Sequence, residues 1–263
     1  MSIVRQLLQI SAVEALRGRT LALGNVHDSM IESIGGVLKK SRLPIIVVSV
    51  EAADQRAQGN DRGFFGRQSV FKMQVQAAIF ELTKVGEDEG GAPEELVLVL
   101  GETDAALEGM LNILDRQWRV ALTDPRNAWG DVFRGLVLRI GKVQDMRAAD
   151  PELPRRHAMR LSEVDIEAIG EPTLGEAIPP PIEAGLALLE ADPEYLGMAT
   201  EWRALLTAGD SLEDWEKEQA ALFADRAQIN ALGLGPLDPE LITDFNQATI
   251  EMGGISEITT VTE

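Results

Sequence analysis

The sequence predicts an α+β fold: an antiparallel sheet with helices packed on one face, plus a mostly helical acidic C-terminal addition. Three observations predict it. In VFKMQVQ, residues 70–76, Phe71, Met73 and Val75 alternate with Lys72, Gln74 and Gln76, the period of a half-buried strand. In residues 104–122, Leu107, Met110, Leu111, Leu114, Trp118, Ala121 and Leu122 recur at helical spacing. The stretch EPTLGEAIPPPIEAG, 171–185, then interrupts the pattern with four prolines, and helical acidic segments follow.

The first element is a helix over 3–17, where Val4, Leu7, Leu8, Ala12, Ala15 and Leu16 share a face. Ser2 is placed to cap its start and Gly18 to end it. Residues 18–44 read as irregular, with a short helix near 28–34. LPIIVVSVEA, 43–52, is short, apolar and rich in β-branched residues, and reads as a strand. Residues 53–68 are polar and Gly-rich and read as a loop. The alternating strand follows, then the acidic loop 86–94 and a short strand over 95–101. Thr103 is a good N-cap for the next helix, which Asp124-Pro125 closes. Residues 127–148 read as a second helix that breaks into a strand after Gly141. RLSEVDIEAIG, 160–170, alternates again. The chain thus divides into a core at 1–170, a Pro-rich linker at 171–182 and an acidic, mostly helical extension at 183–263. Helices are expected near 183–191, 194–208, 212–232 and 239–252, and the β-branched tail ISEITTVTE reads as a terminal strand.

Charge follows the same division. Residues 1–160 hold 21 Lys/Arg and 21 Asp/Glu, whereas residues 161–263 hold 3 against 22, so the entire net charge of −19 lies in the last two-fifths. Such a surface repels phosphates and attracts basic partners, so nucleic-acid binding through this region is not expected. There is no cysteine, hence no disulfide and no thiolate zinc site. The N-terminus reads as an amphipathic helix, not a signal peptide, and no run reaches the ~18 apolar residues of a membrane span. A protein made in a reducing cytoplasm is expected.

No catalytic, cofactor-binding or metal-binding residues are expected. His27-Asp28-Ser29 carries the residue types of a hydrolase triad, but consecutive side chains diverge and cannot meet at one point. Glu87-Asp88-Glu89 lacks the alternating oxygen ligands of a calcium loop. LGLGP, 232–236, does not follow a strand, so it is no dinucleotide fingerprint. Arg155, Arg156 and Arg160 read as a solvated strand edge. Trp118 and Trp129 read as core or interface anchors, and Trp202 and Trp215 as a packing face of the acidic extension.

Residues 13–50, VEALRGRTLALGNVHDSMIESIGG…SRLPIIVVSVE, resemble the N-terminal part of tail-terminator and tail-completion proteins of tailed bacteriophages. Those begin with a helix ending in an arginine-rich turn, then a Val-x-Asp-Ser-like segment, a proline and the first strand. Further pieces agree in order: the alternating strand 70–82, the helix ETDAALEGMLNILDRQWRVALTDP with NAWGDVF after it, and RHAMRLSEVDIEAIGEP. The resemblance covers residues 1–172; residues 173–263 depart from the short members.

The resemblance implies a structural virion protein and no enzyme: a homo-oligomeric ring, usually of six copies, that caps the head-proximal end of the tail tube. Its partners would be itself, the tail tube, neck and head-completion proteins and, in a contractile tail, the sheath. DNA would pass through the ring without sequence-specific contact, and no membrane would be involved. The site would be the virion tail and neck, assembled in the host cytoplasm. Arg17, Arg19, Asp28 and Trp129 are the expected assembly-interface residues, with the three charged ones around the turn after the first helix. The alternatives are another head–tail joining or neck component, or an α+β small-molecule-binding protein or hydrolase.

Overall fold

A computed structural model describes residues 2–29, 44–55, 69–80, 104–148, 157–236, 248–252 and 255–259. The chain forms two compact units, residues 1–211 and 212–263. The first unit opens with α1 (Ile3–Leu16) and β1 (Val26–Asp28), followed by β2 (Ile45–Gln55) and β3 (Ser69–Phe80). Then come α2 (Asp104–Thr123), α3 (Ala128–Leu136), β4 (Val137–Ala148) and β5 (His157–Ala168), and finally α4 (Pro180–Ala191) and α5 (Leu196–Leu206).

The five strands form one sheet in the order β1-β2-β3-β5-β4. It is mixed α+β as expected, and mostly antiparallel; the short β1 pairs parallel to β2. Register follows the alternation. Phe71 faces Ile166 and Met73 faces Val164, so one face is apolar; Lys72 faces Asp165 and Gln74 faces Glu163, so the other is polar. The helices α1 and α2 pack on the apolar face. The strands expected at 43–52, 70–82 and 160–169 are β2, β3 and β5.

Other expectations need correction. Helix α3 ends at Leu136 and gives way directly to β4, earlier than the break expected after Gly141. A register shift between Ile140 and Val143 removes the period-two alternation from this strand, so its sequence does not read as one. Residues 26–28 form a strand where the short helix was to begin. The expected elements at 29–34 and 95–101 and most of loop 53–68 lie outside the described residues.

The larger correction is the domain boundary. The Pro-rich stretch 171–182 is not a linker between units, because residues 183–211 belong to the first one. Helix α4 packs on α1 and α3 and carries Ile182, Leu186 and Leu189 into the core, and α5 adds Ala199 and Trp202. The physical reason lies in α1, which is not apolar on one side only. Val4, Leu7, Leu8, Ile10, Ala12, Val13, Ala15 and Leu16 are all buried, which wraps its circumference. The sheet covers one side and α3 with α4 the other, and a Cβ on Gly185 of α4 would meet both Leu7 δ carbons at 2.8 Å.

The second unit is small. It comprises α6 (Asp214–Ala221), α7 (Arg226–Ala231) and a hairpin of β6 (Ala248–Met252) with β7 (Ile255–Thr259). The strand at 248–252 replaces the end of the expected helix 239–252, and β7 pairs with β6 rather than with the main sheet. Gln228 N–H donates to Asp225 at 2.8 Å and Asp225 N–H to Gln228 at 3.0 Å, a reciprocal cap for α7. The Arg226 guanidinium lies 3.8 Å from the Trp215 ring centre.

Two outcomes are expected in thermal melts followed by circular dichroism. A chain ending at Ser211 keeps a cooperative transition. One ending at Glu171 loses the burial of Ile182, Leu186, Leu189 and Trp202, roughly 6–12 kcal/mol at about 1.5–3 kcal/mol each, the size of a whole domain's stability, and does not fold. In the full chain, Gly185→Val costs about 1–3 kcal/mol through overpacking against Leu7.

Candidate functional site

The expected assembly residues lie on and after the C-terminal end of α1. Arg17 caps the helix, its N–H reaching Val13 O, and Gly18 turns the chain with φ +67°. The Gly18 N–H donates to Leu23 O at 2.9 Å, closing a tight loop, and Leu21 N–H donates to Gln117 Oε1 at 2.9 Å, tying that loop to α2.

Each charged residue of the expected set has a partner within the chain. The Arg17 guanidinium pairs with Glu14 at 2.5 Å, and Glu14 also accepts from the Tyr195 hydroxyl at 2.8 Å. Arg19 reaches Asp124 at 3.5 Å. Asp28 accepts from Gln9 Nε2, which also donates to Ser29 Oγ, while Gln9 Oε1 accepts from Val50 N–H at 2.7 Å. Gln9 thus satisfies the strand backbone just beyond the end of β1. His27 bonds instead to Asn25 at 2.8 Å, so His27, Asp28 and Ser29 share no common point. Trp129, on α3, is half-buried and packs against the core.

Asp124 is the electrostatic centre of this region. It accepts from Arg126 Nε at 3.0 Å, Arg126 Nη2 at 3.1 Å and the Arg126 N–H at 3.0 Å. The hydrogen bonds from Arg126, with the charges of Arg126 and Arg19, hold its carboxyl down to about 2, and the Arg126 guanidinium is pushed up in turn. Next to it, Arg134 donates to Leu122 O at 2.7 Å and Asp124 O at 3.2 Å, placing a cation on the last carbonyls of α2. The buried Asn127 amide donates to Ala15 O and Ala121 O, each at 2.9 Å. One side chain therefore closes the ends of two helices.

Sequence reasoning missed this use of Asn127 and Gln9, because both bonds join residues far apart in the chain. It also misplaced two others. Trp202 belongs to the core of the first unit, not to a packing face of an extension. Arg160 is not on a solvated edge; it reaches α2, pairing with Glu108 at 2.6 Å and Asn112 at 2.8 Å. Arg155 and Arg156 lie outside the described residues.

Two apolar grooves stand out among the described residues of the first unit. One, of about 320 Å³, lies between the end of α2 and β4, with Met73 and Ile166 as its floor and Trp118, Phe133, Ile140 and Val143 as its walls. The other, of about 460 Å³, gathers Ile3, Glu171, Leu174, Trp202 and Leu205. The remaining displaced titrations lie in other places. Arg203 lowers Glu190 through a 2.6 Å hydrogen bond and is itself raised. Burial, with the bond to Glu14, raises Tyr195. Among the described residues no group of three or more His, Cys, Asp or Glu is placed to hold a metal ion, and no helix is long and apolar enough to cross a membrane.

No protein-family model and no curated protein matches this chain.

Two measurements test the site. Because the Asp124 pKa is lowered in the folded state, its charge stabilises the fold above the ordinary carboxylate range near 4, and that contribution is lost as pH falls through about 2. A carboxyl-carbon NMR titration is expected to show a midpoint near 2, moving up towards 4 in Arg126→Ala. Asn127→Ala leaves two buried carbonyls without their donor and is expected to cost about 1–3 kcal/mol in urea unfolding.

Proposed function

We propose that this chain is a structural protein of a phage tail, a terminator that closes the head-proximal end of the tail tube as a ring. One structural observation carries the assembly part of this reading. Strand β4 is a twelve-residue edge strand with no outer neighbour among the described residues, and Leu138, Ile140 and Val143 on it are 51%, 55% and 41% exposed. Exposed apolar residues on a long edge invite pairing in a free monomer, and they fit a chain whose edge adjoins another copy. The order of elements supports the rest: helix, arginine turn, Val26-His27-Asp28-Ser29, the Pro44 strand, then a helix-backed sheet.

In this reading Asp28 and Arg17 shape the turn through Gln9 and Glu14, and Arg19 bridges to Asp124. Their substitution would misplace the surface offered to a neighbour. The hydrolase or small-molecule reading draws less support. It needs a displaced acid or histidine in a pocket, and Asp124, Glu190 and Tyr195 line neither groove.

The test is the state of the full chain by light scattering and negative-stain electron microscopy. A closed ring with a hole wide enough for duplex DNA, seated on one end of isolated tail tubes, is expected. The double variant Ile140→Asp, Val143→Asp is expected to remain folded and lose the ring. A wild-type chain that stays monomeric with tubes present would sink the proposal. A ring that binds heads or necks but not tube ends would favour another neck component.

A further inference from the structure

The larger groove lies where the start of α1, the arm after β5 and the end of α5 meet. Ile3, Trp202, Leu205 and Leu206 line it, with Leu174 contributed by the arm. Leu205 is 65% exposed and Leu174 43%, so the apolar lining faces solvent. Its polar groups are turned to internal uses. Glu171 accepts from Ser2 Oγ and from Val4 N–H at 2.8 Å, capping α1, and Thr173 donates both its N–H and its hydroxyl to Glu176. A small-molecule site would aim several polar groups at one ligand. This one offers a greasy trough of about 460 Å³, a size that takes a few side chains of a helix laid along it.

The chain after β5, which supplies most of the trough, is acidic. Residues 171–211 hold eight acids and one cation, Arg203. Arg203 is taken up by Glu183 at 2.9 Å and Glu190 at 2.6 Å. Glu171 lines the trough, Glu176 is bonded to its Thr173, and Glu201 precedes Trp202. Asp210 is brought to the arm by Gly209, where a Cβ would lie 2.3 Å from Gly175 N. Among the described residues none of these four acids pairs with a cation. An apolar trough with a carboxylate in its wall, and with further acids on the arm and helix that form it, is complementary to a helix with an apolar stripe and basic flanks.

We propose that this groove docks a basic amphipathic helix of a partner protein. Apolar side chains at i, i+3 and i+4 fill the trough against Trp202 and Leu205, and lysines or arginines lie over Glu171, Glu176, Glu201 and Asp210. The inference goes beyond the ring reading and does not rest on it, since the groove involves neither β4 nor its edge.

The test uses the full-length protein and a fluorescently labelled synthetic helix with leucines at i, i+3, i+4 and i+7 and lysines elsewhere, followed by anisotropy. Saturable binding is expected, weakened at least tenfold by Leu205→Asp and also by raising salt from low to physiological strength. The same helix with glutamates for lysines, or serines for leucines, is expected not to bind. Leu205 is exposed, so its replacement leaves the fold intact, which a melting curve checks; Leu222→Asp, at an exposed apolar residue of the second unit, serves as the matched control. The proposal is overturned by absent binding, by equal binding of the glutamate helix, or by equal losses in Leu205→Asp and Leu222→Asp. Self-association of the wild type that Leu205→Asp abolishes also overturns it, because a second copy then fills the groove. None of these outcomes touches the ring reading, whose test depends on Ile140 and Val143.

Discussion

Everything in the first unit depends on the burial of α1. A helix packed on several sides gains the transfer of eight apolar side chains from water, but it also draws its ends and several polar side chains partly out of solvent. Each must then find a partner inside the protein. Ser2 and Glu171 take the first turn, Gln9 spans to β1 and β2, Tyr195 reaches Glu14, and Asn127 closes Ala15 O. These partners come from four distant parts of the chain. The helix is therefore the place where the sheet, α3, α4 and α5 are held to one geometry.

The same requirement explains why the acidic stretch is not merely an appendage. Residues 180–206 carry most of their charge outward while Ile182, Leu186, Leu189 and Trp202 go inward against α1 and α3. With a single cation available, Arg203, the local carboxylates outnumber their partners, and the excess stays at the surface. Its charge is screened within about 8 Å at physiological salt, so it acts on what comes into contact rather than at long range. The arginines of residues 1–160 behave differently. Arg19, Arg119, Arg126, Arg134, Arg139 and Arg160 are each drawn to a carboxylate of the same unit. Exposed pairs of this kind add little stability individually, and they serve chiefly to orient loops and helix ends.

Two features stay unbalanced after this internal pairing: the long apolar edge along β4 and the trough beside α5. They differ in chemistry. The edge offers backbone donors and acceptors with β-branched side chains, suited to a like strand, whereas the trough offers apolar depth and negative charge, suited to a basic helix. On the two proposals above, the edge would join copies of the chain and the trough would hold a different partner, so neither surface competes with the other.

The sequence alone determined the class of fold and three central strands, because alternation at 70–76 and 160–168, the apolar β-branched run at 43–52 and the stripe of α2 are local patterns. It also determined the charge step at residue 160, which is arithmetic on residue types. Only the tertiary structure decided the domain boundary: a proline-rich stretch looks like a linker unless one knows that the helix after it covers the far side of α1. The same holds for β4, whose bulge erases its period, and for Gln9, Asn127 and Glu171, whose partners lie 41, 112 and 167 residues away. Local periodicity records how each segment divides its surface between water and core; which distant segment supplies the core, and which polar group answers a buried helix end, is settled only when the segments meet.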